Sequence, residues 1–224
     1  MKTTLLFDVY GTLVDPAGIA LALRQDAGEA AAAFAEQWRD KQVEYAFRRA
    51  LMRNYVTFQV CVEQALRFVF ERNRLPLSEA RCATLMQRYG ELPVFDDAAP
   101  ALSVLSQQFR VFAFSNGTRN DVGALLNHAG LAGFFIDVIS VDDIRSFKPD
   151  PAVYTHARRA SAAWAAPCWL ISGNAWDLMG AQSAGLSTAW VRRSKEKLYD
   201  PWGMAPDIVT ASLLELENRL PAVR

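Results

Sequence analysis

Six short apolar segments carry the pattern that most constrains the fold of this chain. They lie at 3–7, 109–115, 134–140, 168–173, 187–193 and 207–212. Helical patterns fill intervals between the later segments, at 119–130, 151–163 and 177–185. This alternation of strands and helices is typical of a parallel sheet with helices on its faces. The sequence therefore predicts an α/β, doubly wound, Rossmann-like core.

The first two predicted strands are separated by roughly eighty residues, which is far longer than an ordinary loop. Two stretches in this interval, "AGEAAAAFAEQWRDKQVEYAFRRALM" and "YVTFQVCVEQALRFVFERNRL", have apolar residues at helical spacing. Pro76 ends the second pattern, and Ser78 can cap the next helix. Ligands of open α/β sheets bind beyond the carboxyl ends of the strands, where such an insert would lie. We therefore predict a core of 1–14 and 95–224 with an inserted helical cap of 15–94.

Composition and charge exclude several classes of protein. Hydrophobic residues make up 51% of the chain and charged residues 21%, which is typical of a soluble globular domain. The 24 basic residues balance the 24 acidic ones, so neither a nucleic-acid nor a membrane partner is expected. The apolar runs are too short for a signal peptide or a membrane helix. Three widely spaced cysteines are expected to be free thiols in a cytoplasmic protein.

Polar side chains follow four of the predicted strands at their carboxyl ends. They are Asp8 after the first, Ser115-Asn116-Gly117-Thr118 after the second, Lys148 after the third, and Ser172-Gly173-Asn174 with Asp177 after the fourth. Each alone has a structural explanation, as a turn residue, a helix cap, a solvated loop lysine or a charge in the first turn of a helix. Because neighbouring strand ends meet in one crevice, a shared site is the stronger interpretation.

These motifs together resemble the haloacid dehalogenase superfamily, and within it the L-2-haloacid dehalogenases. That superfamily has a nucleophilic Asp after the first strand, then Ser or Thr, then Lys, then acidic residues after the fourth strand. The matching segments are "DVYGTL", "FSNGT", "FKPDPAVY" and "SGNAWD", with "QWRDKQVEY" in the predicted cap. The resemblance spans almost the whole chain and implies a hydrolase acting on carbon–halide bonds.

The resemblance implies a reaction in two steps. Asp8 attacks C2 of a small (S)-2-haloacid, the halide leaves, and an aspartyl ester forms. Water then attacks the aspartyl carbonyl carbon and releases the (R)-2-hydroxy acid. Lys148 is expected to pair with Asp8, and Thr12 to hydrogen-bond it. Asp177 is expected to position or deprotonate the water.

The remaining core residues are assigned supporting roles by the same resemblance. Ser172 and Asn174 are expected to hold the corner of the site beside the catalytic water. Tyr154 lies in the helical segment after Lys148 and is expected to support Lys148 or Asp177. Ser115, with backbone N–H groups at a helix start, is expected to bind the substrate carboxylate.

The cap is expected to supply the leaving-group pocket. By resemblance, Arg39 binds the halide, and Asn116 and Trp176 complete the cradle, where charge develops in the transition state. The local sequence around Arg39 would also fit an exposed helix residue. Asp40 stands where related motifs more often have an amide, and a carboxylate there is expected to reorient Arg39 or weaken its pull on the halide.

Tyr10 is the residue that separates the subfamilies. Phosphatases of the superfamily have an aspartate two positions after the nucleophile, which protonates the leaving alcohol. A halide departs as a stable anion and needs no proton, so Tyr10 fits dehalogenation and forms an apolar wall with Phe58 and Val43. The alternatives are a phosphatase or phosphonatase, which Tyr10 disfavours, and a non-catalytic relative, which the intact motif set disfavours.

No metal or other cofactor is expected. A small 2-halocarboxylate, the expected partner, carries one negative charge that Lys148 and Arg39 can balance, whereas phosphatase relatives use Mg²⁺. Relatives are often homodimers, and the apolar cap would allow one, but no sequence feature decides the oligomeric state.

Overall fold

A computed structural model describes residues 2–221. Its strands are β1 Thr4–Phe7, β2 Arg110–Ser115, β3 Asp137–Ser140, β4 Cys168–Ser172, β5 Ser187–Val191 and β6 Ile208–Thr210. They form one sheet in the order β3-β2-β1-β4-β5-β6, and all neighbouring pairs are parallel. The predicted α/β fold with a parallel sheet is confirmed, and each strand is slightly shorter than its apolar segment.

The helices fall into two groups. The α-helices are α1 Ala20–Ala27, α2 Ala31–Met52, α3 Phe58–Arg72, α4 Glu79–Tyr89, α5 Ala98–Gln108, α6 Arg119–His128, α7 Pro151–Ala160, α8 Ala175–Ser183 and α9 Leu216–Arg219. All of α1 to α5 lie between β1 and β2; the first four form the helical cap, and α5 and the later helices flank the sheet. The sequence pattern did not predict α5, whose first turn contains Pro100, a residue that helices tolerate only near their start.

The central position of β1 determines where the site lies. Leu5, Leu6 and Phe7 are fully buried, as expected of a parallel strand covered on both faces. Phe7 pairs with Ala113 of β2 and Ile171 of β4. The residue that follows β1 therefore emerges between the carboxyl ends of its two neighbours.

Two linkers join the cap to the core side by side. Val14 forms an antiparallel bridge with Val94. Asp15 N donates to Pro93 O at 2.8 Å, and the N–H of residue 95 donates back to the carbonyl of residue 13 at 3.0 Å. This paired connection holds the start and the end of the insert together next to the sheet.

A second contact holds the cap to the core at the opposite end. Tyr55, in the loop between α2 and α3, donates its hydroxyl to Asp142 Oδ1 at 2.6 Å. Its ring packs on Phe147 of the core with centroids 5.0 Å apart. The cap is thus attached on both sides of the strand ends. Within residues 2–221, no helix combines the length and apolar character needed to cross a bilayer.

Candidate active site

Asp8 lies at the centre of a polar cluster at the strand ends, and it is only 6% exposed. Its Oδ2 accepts hydrogen bonds from Thr12 Oγ1 and Asn174 Nδ2, both at 2.8 Å, and from Ser172 Oγ at 3.3 Å. Its Oδ1 accepts one from Lys148 Nζ at 3.1 Å. The two carboxylate oxygens are therefore unequal, since Oδ2 is held by three donors and Oδ1 by one.

Lys148 is a fully buried cation between two carboxylates. Besides Asp8, its Nζ donates to Asp177 Oδ2 at 2.8 Å and to Phe114 O at 2.9 Å. All three donors of the ammonium group are thus used. Burial alone would lower the pKa of Lys148, but Asp177 and Asp8 raise it above its usual value, so the side chain stays charged.

Asp177 is the second buried carboxylate of the cluster. Burial raises its pKa, Asp8 adds to the effect, and Lys148 opposes it. Its Oδ1 accepts a hydrogen bond from Tyr154 OH at 2.8 Å. Tyr154 approaches closely because α8 has Gly180 at the contact, where a Cβ would lie 2.5 Å from the hydroxyl. A buried carboxylate with a raised pKa is suited to accepting a proton.

The loops after β1 and β4 interlock around the nucleophile position. Thr12 Oγ1 donates to Asp8 and also accepts from Gly173 N at 2.8 Å. A Cβ at Gly173 would lie 2.2 Å from the carbonyl oxygen of Gly11, so the two loops can meet only where this residue has no side chain. Close contact between the loops fixes the orientation of Thr12.

The loop after β2 leaves its two polar side chains free of capping roles. Thr118, rather than Ser115 or Asn116, caps α6 with its side chain. Ser115 Oγ accepts the backbone N–H of Gly117 at 3.2 Å. Asn116 Oδ1 accepts the backbone N–H of Lys148 at 2.9 Å. Both side chains face the space above Asp8.

A small cavity of about 10 Å³ lies next to Asp8. It is lined by Asp8, Tyr10, Arg39, Val43, Phe58, Ser115, Asn116 and Trp176. Sequence analysis assigns a site role to each of these residues, and the structure brings them together. The other predicted residues, Thr12, Lys148, Tyr154, Ser172, Asn174 and Asp177, lie in or behind the polar cluster. A volume this small holds about one water molecule, so a substrate must displace side chains to enter.

Arg39 lies on the cap side of this cavity and is half-buried, unlike the exposed helix residue that its local sequence would allow. Its Nη2 donates to Tyr10 O at 3.4 Å. Arg39, Val43 and Trp176 also line an outer cleft of about 840 Å³. The exposed Asp40 faces this cleft, and no ion pair joins it to Arg39 in the part of the chain that the structure describes.

Tyr10 is buried in an aromatic cluster of the cap. Its ring stacks on Tyr89 with centroids 5.6 Å apart and lies 5.9 Å from Phe58. Burial raises the pKa of Tyr10 well above its usual value, so the phenol stays neutral. Sequence analysis missed Tyr89 and its partner Gln42. Gln42 is three positions after Arg39, a spacing that places two side chains next to each other on a helix and could have indicated that Gln42 lies near the site. No sequence pattern indicates Tyr89.

Comparisons with known proteins give matches that span most of the chain. A family model described as haloacid dehalogenase-like hydrolase matches residues 2–185. The chain is 34% identical over 216 residues to (S)-2-haloacid dehalogenase 2 of Pseudomonas sp. (strain CBS-3), covering 96% of this chain and 94% of the relative. It is 31% identical over 202 residues to haloacetate dehalogenase H-2 of Moraxella sp. (strain B), covering 90% of each.

A solved structure shows the same fold. It is the L-2-haloacid dehalogenase from Xanthobacter autotrophicus with chloropropionic acid covalently bound. The two structures superpose with a TM-score of 0.92 at 29% sequence identity, over 99% of this chain and 100% of the other. The similarity therefore includes both the sheet and the cap.

Proposed function

Because the chain belongs to the haloacid dehalogenase-like hydrolase family, we propose that it hydrolyses the carbon–halide bond of a small (S)-2-haloacid through a covalent aspartyl ester. The observation that carries the proposal is the Asp8 carboxylate, held by Lys148 below a cavity whose other wall is apolar. Position 10 holds a neutral tyrosine where a phosphatase needs a second carboxylate. Relatives named (S)-2-haloacid dehalogenase support the substrate class.

In the first step, Asp8 forms a bond to C2 as the carbon–halogen bond breaks. Oδ1 is the freer nucleophile, because Oδ2 already accepts three hydrogen bonds. Arg39, together with Asn116 and Trp176, faces the halide as it takes the electron pair, and a cation there stabilises the charge that develops. Attack from the side opposite the halide inverts C2.

In the second step, water adds to the Cγ carbon of the ester while Asp177 accepts its proton. The charge that develops on Oδ2 is stabilised by Thr12 and Asn174, whose donors already contact that oxygen at 2.8 Å. Collapse breaks the bond from Cγ to the ester oxygen, and the departing alkoxide takes up the proton held by Asp177. Asp8 then releases the second proton of the water and returns to a carboxylate. No bond to C2 breaks here, so the product is the (R)-2-hydroxy acid.

The substrate carboxylate is proposed to bind beside β2. Ser115 lines the cavity next to the turn that leads into α6, and backbone N–H groups at a helix start favour an anion. Binding there points C2 toward Asp8. The ring of Phe58 and the side chain of Val43 form the apolar wall on the opposite side.

The domain bounds and the assembly are parts of the same proposal. The paired linkers at Val14 and Val94 support a cap of 15–94 on a core of 1–14 and 95–224. Exposed Leu51 and Met52 at the end of α2 support a homodimer. A cytoplasmic location stays a prediction.

The proposal is tested by measuring halide release in EDTA-treated buffer. The substrates are fluoro-, chloro- and bromoacetate and both enantiomers of 2-chloropropionate. A phosphate ester is assayed separately to test the phosphatase alternative. We expect halide release from the (S) enantiomer with formation of (R)-lactate, undiminished by chelation. Phosphate release that depends on Mg²⁺ would favour the phosphatase alternative, and the absence of any turnover would favour a non-catalytic relative.

A further inference from the structure

Tyr10 joins the cap to the nucleophile loop through both its ring and its carbonyl group. The ring packs among cap residues, stacked on Tyr89 with an interplanar angle of 19°. The carbonyl oxygen accepts hydrogen bonds from Arg39 Nη2 at 3.4 Å and from Asn174 Nδ2 at 2.9 Å. Asn174 in turn donates to Asp8. One backbone oxygen therefore contacts both the proposed halide ligand and a residue that holds the nucleophile.

Tyr89 is itself fixed in position by a buried polar contact. It is the last residue of α4 and is 5% exposed. Its hydroxyl donates to Gln42 Oε1 at 2.7 Å, and Gln42 is 1% exposed on α2. Trp38, also on α2, packs on the same ring with centroids 5.3 Å apart. A buried hydroxyl is costly to leave without a partner, so this bond fixes the end of α4 against α2.

We propose that Tyr89 and Gln42 are positioning residues for the displacement step, acting through Tyr10 on Arg39. The inference rests on the proposed function and deepens it. The chain of contacts runs from Gln42 to Tyr89 to the ring of Tyr10, and from the carbonyl of Tyr10 to Arg39. Tyr89 also interacts with Arg39 directly, since this cation opposes the rise in the pKa of Tyr89 that burial causes. Gln42 and Arg39 lie three residues apart on one helix, so the set forms a closed loop that places the guanidinium over the nucleophile.

The two chemical steps differ in their dependence on this set. Displacement needs Arg39 at the halide, and its hydrogen bond to Tyr10 is long, so a small shift of Tyr10 changes its placement. Hydrolysis depends on Asp177 and Lys148, whose hydrogen bonds are all to core residues. It also depends on Asn174, whose contact with Tyr10 O is shorter than that of Arg39 and which is held in addition by Asp8 at 2.8 Å. Loosening Tyr89 should therefore slow formation of the ester much more than its breakdown.

The test is a single-turnover experiment with (S)-2-chloropropionate that follows chloride release and lactate formation separately. We expect Tyr89→Leu to slow chloride release roughly 10-fold or more, since a small misplacement of a positioned group has effects of this size, with ester hydrolysis unchanged. Tyr89→Phe keeps the stacked ring and should restore most of the rate. Tyr45→Leu is the matched control, because this cap tyrosine packs on Phe68 and lines neither the cavity nor the outer cleft.

Each outcome decides the inference. The inference would be overturned if Tyr89→Leu slowed both steps equally, or if it slowed neither step. Should that variant not fold, Gln42→Leu provides the same comparison, and a wild-type ratio of the two rates in Gln42→Leu would overturn it. A wild-type enzyme that releases no halide from any haloacid would overturn the proposed function and this inference with it, whereas an active wild type with an unaffected Tyr89→Leu would overturn the inference alone.

Discussion

The two walls of the active-site cavity are built on different physical principles. The core wall contains three buried charges, Asp8, Lys148 and Asp177, joined by hydrogen bonds of 2.8 to 3.1 Å. The cap wall is mostly aromatic and aliphatic, and its cation, Arg39, makes a hydrogen bond of 3.4 Å to a backbone carbonyl. The nucleophile is thus held rigidly, whereas the leaving-group side is held by packing.

The difference determines what each wall can tolerate. Removing one partner of a buried ion pair leaves an uncompensated charge and typically costs about 3–5 kcal/mol. The core wall should therefore tolerate only substitutions that leave Lys148 paired with at least one of its two carboxylates. The cap wall can shift side chains at lower cost, and this suits a cavity that must enlarge to admit a substrate.

The largest effect is expected at the nucleophile. Asp8→Asn should abolish halide release, because an amide is a poor nucleophile, while the similar shape should preserve the fold by circular dichroism. A single wild-type turnover in ¹⁸O water should place label in the Asp8 carboxylate, detected by peptide mass measurement. Asp96→Asn, at an exposed position, is the control. Label that enters the product directly and never Asp8 would exclude the covalent ester.

The next effect is expected at the proposed base. Asp177→Asn should slow ester hydrolysis by roughly 10²- to 10⁴-fold, the usual contribution of a general base, so the enzyme esterified at Asp8 should accumulate and be visible in the intact mass. Burial raises the pKa of Asp177, so this base becomes protonated at a higher pH than an ordinary aspartate, whose pKa is about 3.9. As the pH is lowered, the rate of wild-type ester hydrolysis should therefore begin to fall above that value. Fast hydrolysis in the variant would assign the base elsewhere.

The same contrast explains how much could be predicted from the sequence. The core wall follows from the order of polar residues after apolar strands, because parallel pairing brings those strand ends together whatever the side-chain packing. Asp8 and Asp177 were therefore predictable from residue types and order. Arg39 was not, since its local sequence also fits an exposed helix, and only family resemblance indicated it.

Tyr89 and Gln42 show why the rest was out of reach. Their contact joins the end of α4 to the middle of α2, 47 positions apart in the chain. No periodicity predicts which ring will stack on Tyr10, because that depends on how two cap helices pack. The helix α5 was missed for a local reason, since a proline in its first turn obscures the pattern.

The smallest of these rate effects is expected at the cap wall. It is also the sharpest test of the difference between the core wall and the cap wall. Arg39→Ala should lower the displacement rate by roughly 10²-fold, because an oriented charge contact with the transition state is worth a few kcal/mol. Ester hydrolysis should keep its rate, since the halide has already left. Arg48→Ala is the matched control on the same helix, where the arginine is mostly exposed. Pre-steady-state halide release separates the steps. An Arg39→Ala enzyme that releases halide at the wild-type rate would place the leaving-group pocket elsewhere, and an equal loss in both steps would show that the two walls act as one.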